Sequence, residues 1–185
     1  MHIDCIGSIS YWVEISKKAD VVLYSNHTFQ KQSSLSQFEI TTSNGRLKLS
    51  VPTKKSTRKG ALKDVEIDYT SNWQIEHWRS IENAYLKSPF FLYYGYKIER
   101  VFKSNPRYLL DFNISLFNEI AKCIKLSKAI NEDSETSQYY KEIEVLNHKT
   151  YPQVFDTKQP FVPNLCILDL LFNLGPETLE FLLNS

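Results

Sequence analysis

The sequence predicts a single α/β domain, in which an N-terminal mixed β-sheet with one early helix precedes a mostly α-helical C-terminal half. The chain has 185 residues, of which 42% are hydrophobic and 14% aromatic, enough to bury a core. Segments before Thr70 alternate between apolar and polar residues, as strands do. From Ser71 onward, apolar residues recur every three or four positions, as in helices. We therefore expect residues 1–185 to form one domain.

The first elements are predicted to be a strand, a helix and a second strand. Ile3–Ile6 has the length of a short strand. Ser8 or Ser10 is expected to cap the helix, because a serine hydroxyl accepts a hydrogen bond from an N–H of the first turn. The apolar run Val21–Tyr24 predicts an interior strand. The helix is expected to bury Tyr11, Trp12 and Ile15.

A hairpin follows these elements. Phe38–Thr42 and Arg46–Val51 both alternate at a period of two. Asn44 and Gly45 lie between them, and both residue types tolerate the positive φ that tight turns need. Val65–Tyr69 alternates again and predicts one more strand.

The second half is predicted to be helical. Ser71 and Gln74 have the spacing of a capping box, and the helix that they start is expected to end before Pro89. The polar segment Asn131–Ser137 predicts a loop. Four further helices are expected at Phe91–Phe102, about Tyr108 to Leu126, Leu165–Leu174 and Glu177–Leu183.

The apolar stripes of these elements also predict the core. Truncating Trp78 to Ala is expected to cost about 3–5 kcal/mol if its side chain is fully buried. The expected core residues are Trp12, Val22, Leu49, Trp78, Ile81, Tyr85, Leu168 and Leu171.

Composition excludes several classes of function. The 22 basic and 21 acidic residues nearly cancel, so no global field attracts nucleic acid or anionic lipid. No apolar run reaches membrane-spanning length, and the N-terminus lacks the pattern of a signal peptide. Membrane insertion is therefore not expected. Three widely spaced cysteines fit reduced thiols better than a disulfide framework, which favours a cytoplasmic location.

The sequence predicts no metal site and no cofactor. The four histidines are scattered and form no pair at the spacing of zinc ligands. Gly60 stands alone, so no glycine-rich phosphate loop is present around it.

The first candidate site residue is His77, which shares a predicted helix with Glu76 and Arg79. A histidine beside carboxylates can transfer protons near neutral pH, so His77 is a catalytic candidate and Arg79 a candidate for substrate binding. The alternative is a histidine that is hydrogen-bonded where two helices pack. Sequence reasoning favours this alternative, because no nucleophile motif accompanies His77.

The second candidate is the polar segment that follows Val21–Tyr24. Loops after interior strands commonly hold ligands in open α/β sheets. Amides, a cation and an imidazole suit a hydroxylated or anionic ligand, although such residues are also ordinary in loops. The expected substrate-binding residues are His27, Gln30, Lys31 and Gln32.

Two further features have both a structural and a functional interpretation. The cations that precede Asp64 suit a phosphate, although a solvated loop is the more common meaning of such a cluster. Asp169 and Asn173 share one face of an apolar helix, where a buried carboxylate needs hydrogen-bond partners. We expect Asp169 to be an internal strut that accepts backbone, arginine or histidine hydrogen bonds. The cations are Arg46, Lys48, Lys54, Lys55, Arg58, Lys59 and Lys63.

Several motifs resemble the WbqC-like protein family along essentially the whole chain, and most closely its forms from Bacteroidota. Gln30-Lys31-Gln32-Ser33 also falls in the family's order. The main motifs are Lys63-Asp64-Val65-x-Ile67, Asn72-Trp73, Ser88-Pro89-Phe90-Phe91, Tyr151-x-Gln153-Val154-Phe155, and Phe161-x-Pro163-Asn164-Leu165 with its continuation to Glu177.

The resemblance implies a cytosolic protein of cell-surface, O-antigen-like polysaccharide metabolism. It also implies aminoacyl (glycyl) or acyl transfer to a sugar or nucleotide-sugar. The chain departs from the family at Ser34–Gln37, where similar proteins continue with a basic run, and at Gly7–Ser10, where they carry a proline-containing turn. If those segments form the site, this member binds another ligand or has lost activity.

Two hypotheses follow. In the first, the protein is a transferase in which His27, Lys31, His77 and Arg79 line one pocket. In the second, it is a non-catalytic binding or assembly protein whose aromatic helices form a partner surface. The substrate, the protein partners and the oligomeric state are not readable from the sequence.

Overall fold

A computed structural model describes residues 2–127, the backbone of residues 130–133, and residues 149–185. Elements are named in chain order within this part. The helices are α1 (Ile9–Lys17), α2 (Trp73–Tyr85), α3 (Phe91–Phe102), α4 (Leu109–Cys123), α5 (Ile167–Leu174) and α6 (Thr178–Leu183); the strands are β1 (Val21–Tyr24), β2 (Gln37–Thr42), β3 (Gly45–Ser50) and β4 (Ile130–Asp133). The predicted class is confirmed: a mixed α/β domain with an early helix and a small sheet before the later helices.

The described strands form two pairs. β2 and β3 are antiparallel, and β1 pairs in parallel with β4 from Val21↔Ile130 to Tyr24↔Asp133. The loop predicted at Asn131–Ser137 was therefore wrong for residues 131–133, and residues 134–137 lie outside the described part. A parallel partner is brought in by a long connection, so a short polar strand gives no local signal of its pairing.

The hairpin prediction is confirmed. Thr42 pairs with Gly45, so Ser43 and Asn44 form a two-residue connection. Gly45 has a φ of +98°, whereas Asn44 is not among the residues with positive φ. Glycine at position 45 therefore supplies the conformational freedom that the turn needs.

Two predicted strands are wrong. Val65–Tyr69 makes only isolated bridges, Glu66 with Tyr108 and Ile67 with Thr53. The segment Ile3–Ile6 is buried but not extended throughout, because Ile6 has a φ of +66°. Alternation at a period of two indicates which residues are buried. Here they are buried without a continuous ladder of backbone hydrogen bonds between strands.

One of the two predicted helix caps is correct. The Tyr11 backbone N–H donates to the Ser8 hydroxyl over 3.2 Å, so Ser8 caps α1. The capping box of Ser71 and Gln74 is wrong, because α2 starts at Trp73 and no side chain caps it. The Gln74 amide instead donates to the carbonyls of Phe102 and Ser104, over 2.5 and 2.7 Å, and ties α2 to the end of α3.

The core is one continuous cluster with members from Ile3 to Leu182. Six of the eight predicted core residues are buried, but Val22 and Trp78 are only partly buried. Trp78 lies at the edge of the core because the buried stripe of α2 runs instead through Trp73, His77, Ile81, Ala84 and Tyr85.

Candidate functional site

Two loops that the sequence presents separately lie side by side. The polar loop, residues 26–33, follows β1, and the basic loop, residues 53–64, follows β3. The Leu62 N–H donates to the His27 carbonyl over 2.9 Å, and Thr28 bridges Ala61. These backbone contacts bring Lys31 and Gln32 to the same surface as Arg58 of the basic loop.

A cleft of about 310 Å³ lies where the two loops meet β2 and β3. Its lining residues provide two cations, two side-chain amides and several hydroxyls, and include no carboxylate. Such a lining favours an anion, because the two side-chain charges within it are both positive. The lining residues are Phe29, Lys31, Gln32, Ser36, Gln37, Ser50, Val51, Pro52, Thr53 and Arg58.

The Arg58 guanidinium is held in place by Thr53. Its Nε donates to the Thr53 hydroxyl over 2.9 Å, and its Nη2 donates to the Thr53 carbonyl over 2.5 Å. None of the ion pairs formed among the described residues involves Arg58 or Lys31. Asp68 is nevertheless close enough to feel the charge of Arg58, since its pKa is lowered first by hydrogen bonds from Thr70 and then by Lys54 and Arg58.

Gln32 has an uncommon backbone conformation at the cleft. Its φ is +58°, in the left-handed region, which costs a residue other than glycine about 1–2 kcal/mol. The turn is stabilised by the Ser33 hydroxyl, which donates to the carbonyl of exposed Gln30 over 2.7 Å. Such strain is concentrated at ligand sites in proteins.

His27, near the start of the polar loop, is buried and is not among the residues that line the cleft. It is 1% exposed, its Nδ1 is 2.6 Å from the Tyr24 carbonyl, and its ring centroid is 3.7 Å from that of His2. Burial lowers the pKa of His27. Its contacts fix the start of the polar loop.

His77 and Arg79 also lie outside the lining of the cleft. His77 is buried between Trp73 and Phe38, with ring centroids 5.2 and 6.0 Å away. Burial lowers the pKa of His77 to about 4. Arg79 is exposed, because residues two positions apart on a helix do not share a face. Of the four residues expected in one pocket, the cleft contains Lys31 alone.

Asp169 is fully buried, as expected of an internal strut, but its donors differ from those predicted. The Tyr151 hydroxyl donates to Asp169 Oδ2 over 2.5 Å and the Gln153 amide over 2.9 Å. Burial raises the pKa of Asp169. Gln153 also exchanges two hydrogen bonds with the Val162 backbone, so the carboxylate anchors the segment before α5.

The aromatic surface expected of an assembly protein lies on α3. Leu92, Tyr93 and Tyr96 are 78%, 69% and 62% exposed. A partner role for this surface stays a prediction.

Sequence reasoning missed Thr53 and undervalued Arg58. Arg58 belonged to a cluster that is usually solvated, and a threonine after a strand gives no signal of its own. What distinguishes Arg58 from Lys55 and Lys59 is the pair of hydrogen bonds that it donates to Thr53. Only the folded loop shows those bonds.

Fold and cleft together define a small mixed α/β protein with a surface site suited to an anion. The chain belongs to the WbqC-like protein family, whose family model matches residues 6–147 and 140–181. The predicted resemblance is thus confirmed at the level of the family. No curated protein and no solved structure matches the chain.

Two other classes of site are not found in the described part of the chain. None of its helices is long and apolar enough to cross a bilayer. Its histidines, cysteines and acidic residues form no group of three or more that is arranged to hold a metal ion.

Proposed function

We propose that this WbqC-like protein binds an anionic carbohydrate derivative, such as a nucleotide-sugar, in the cleft between the polar and basic loops. Its role would be in cytoplasmic, O-antigen-like polysaccharide metabolism. One observation carries the proposal: Lys31 and Arg58 converge on a cleft whose lining contains no carboxylate. Gln32 and Gln37 add amides that suit sugar hydroxyls.

Binding is better supported than catalysis. Aminoacyl or acyl transfer needs a base whose pKa lies near the working pH. The lining residues supply no imidazole, thiol or carboxylate, and the pKa of His77 is about 4. A catalytic role for His77 stays a prediction, as do the substrate-binding roles of His27, Gln30 and Arg79.

One of the two departures from the pattern of similar proteins lies partly in the cleft. Ser36 and Gln37 are lining residues, and they occupy part of the Ser34–Gln37 segment where similar proteins carry a basic run. Neutral side chains there leave two cations in the lining. This supports a ligand of lower charge than that of more basic relatives.

Isothermal titration with uridine diphosphate glucose tests the proposal. We expect saturable binding by the wild type that weakens as salt rises. Arg58→Gln should weaken binding about tenfold or more, because a charge-assisted hydrogen bond is lost. Lys31→Gln should weaken it less, because exposed Lys31 is a single mobile charge.

Lys59→Gln is the matched control, since Lys59 is exposed on the basic loop but does not line the cleft. It removes the same charge from the same loop and should leave affinity within about twofold. Equal losses in Arg58→Gln and Lys59→Gln would mean nonspecific attraction. Absence of saturable binding by the wild type would refute the proposal.

A further inference from the structure

We infer that Thr53 is a positioning residue. It turns the Nη1–Nη2 edge of the Arg58 guanidinium toward a ligand that presents two oxygens in one plane. The ligand class is a phosphate or a carboxylate, rather than the neutral hydroxyls of a sugar. This inference rests on the proposed function and deepens it, because it names the group of the ligand that the cleft recognises.

The hydrogen-bond donors of Arg58 carry the argument. A guanidinium has five N–H donors in a fixed plane. Nε and one Nη2 hydrogen donate to Thr53, which leaves two hydrogens on Nη1 and one on Nη2. One hydrogen on Nη1 and one on Nη2 lie along the edge opposite Nε, where they match the spacing of two oxygens of one anion, and the second Nη1 hydrogen points to the side of Cδ.

Thr53 is well placed to fix this orientation. It is 4% exposed, and its backbone bridges Ile67. The basic loop beyond it is closed by the Thr57 hydroxyl, which donates to the Lys54 carbonyl over 3.0 Å and accepts from the Glu66 N–H over 3.0 Å. The acceptors for Arg58 therefore belong to a loop that is itself tied down.

Fixing the guanidinium before binding removes the entropy loss that a free side chain undergoes when it is ordered. Lys31 is exposed and adds charge without fixed geometry. Specificity for a planar pair of oxygens should therefore depend on Arg58 and on Thr53. A lysine at position 58 would keep the charge and lose the paired donors.

The test compares Thr53→Val, Thr53→Ser and Arg58→Lys by titration with uridine diphosphate glucose and with inorganic pyrophosphate. Valine keeps the shape of threonine and removes the hydroxyl that accepts from Arg58 Nε, so Thr53→Val should bind both probes about tenfold more weakly. Thr53→Ser keeps the hydroxyl and should bind within about twofold of the wild type. Arg58→Lys should lose at least as much affinity as Thr53→Val.

A readout without ligand separates positioning from general support of the fold. In arginine-selective ¹⁵N NMR, the Arg58 Nε–H should exchange slowly with water in the wild type and in Thr53→Ser, and rapidly in Thr53→Val. If Thr53→Val melts at the temperature of the wild type, its fold is intact. If Thr53→Val melts early, Thr53→Ala at low temperature provides a second side chain without an acceptor.

The outcomes are distinct. If the wild type binds neither probe, the proposed function and this inference both fall. If the wild type binds and Thr53→Val binds equally well, only the positioning role is refuted. If Thr53→Ser binds as weakly as Thr53→Val, the positioning role is also refuted, because the hydroxyl would then not be the group that matters.

Discussion

At the scale of single residues, two side chains that are close in the sequence differ in burial. His77 and Arg79 are two positions apart, yet one is 8% exposed and the other faces solvent. His77 lies among aromatic rings, where a positive charge has few polar partners. The imidazole is therefore neutral at physiological pH.

The low pKa of His77 predicts a loss of stability in acid. Its pKa falls from 6.5 to about 4 on folding, so between these values the unfolded chain binds a proton that the folded chain excludes. This contribution is complete above pH 6.5 and is lost as the pH falls toward 4. From pH 7.5 to pH 5 it amounts to up to about 2 kcal/mol.

His77→Phe should reduce that dependence, because phenylalanine does not titrate and fits an aromatic environment. Urea unfolding of both proteins at pH 7.5 and pH 5 gives the comparison. The pKa of His27 is also lowered and contributes in the same direction, but it is present in both proteins and cancels. Identical pH dependence in the two proteins would mean that His77 is protonated as readily when folded as when unfolded.

At the scale of elements, the end of α5 depends on one glycine. Gly175 has a φ of +56°, and a Cβ there would lie 2.5 Å from the ring of Phe90. Phe90 precedes α3, and its N–H donates to the Phe172 carbonyl of α5 over 3.0 Å. The absence of a side chain at Gly175 is therefore what allows α3 and α5 to approach.

Gly175→Ala is expected to destabilise the protein by about 2–3 kcal/mol, because strain in the left-handed region adds to the clash with Phe90. Gly60→Ala is the control: its nearest neighbour would be the Thr57 carbonyl at 3.5 Å, and its φ is not in the left-handed region. That change should stay within about 0.5 kcal/mol. Guanidinium unfolding measures both, and equal values would show that position 175 is not constrained.

At the scale of the whole molecule, one core joins the two halves. Trp12 of α1 is fully buried, stacks on Phe117 of α4 at 5.0 Å, and donates to the Ile6 carbonyl over 2.7 Å. The β1–β4 pair also joins the two halves, because β4 comes from the second half. A destabilising substitution in either half should therefore lower the free energy of unfolding of the whole domain.

Trp12→Ala should cost about 3–5 kcal/mol, the usual loss for a fully buried tryptophan. Trp78→Ala should cost less, because Trp78 is only partly buried beside Phe91 and Phe102. Far-UV and near-UV circular dichroism should give coincident transitions for both variants. Two separated transitions would contradict the single core. A larger loss for Trp78→Ala than for Trp12→Ala would contradict the position of Trp78 at the edge of that core.

The sequence by itself determined the elements whose cause is local. The hairpin follows from Gly45, and the end of α5 from Gly175 next to Pro176. The cap of α1 was limited to Ser8 or Ser10, and the structure selects Ser8. Each depends on the conformational or hydrogen-bonding preference of one residue acting on its neighbours. The burial of Asp169 was also readable, since its helix is otherwise apolar.

Only the tertiary structure decided what depends on contacts between distant segments. It paired β1 with β4, turned His77 inward, and supplied Tyr151 and Gln153 as donors to Asp169. The candidate site is of the same kind, because the bridge between Thr28 and Ala61 places Lys31 beside Arg58. The local sequence pattern does not predict such pairings. They are selected by the balance between the entropy cost of closing long loops and the free energy gained by burying apolar surface.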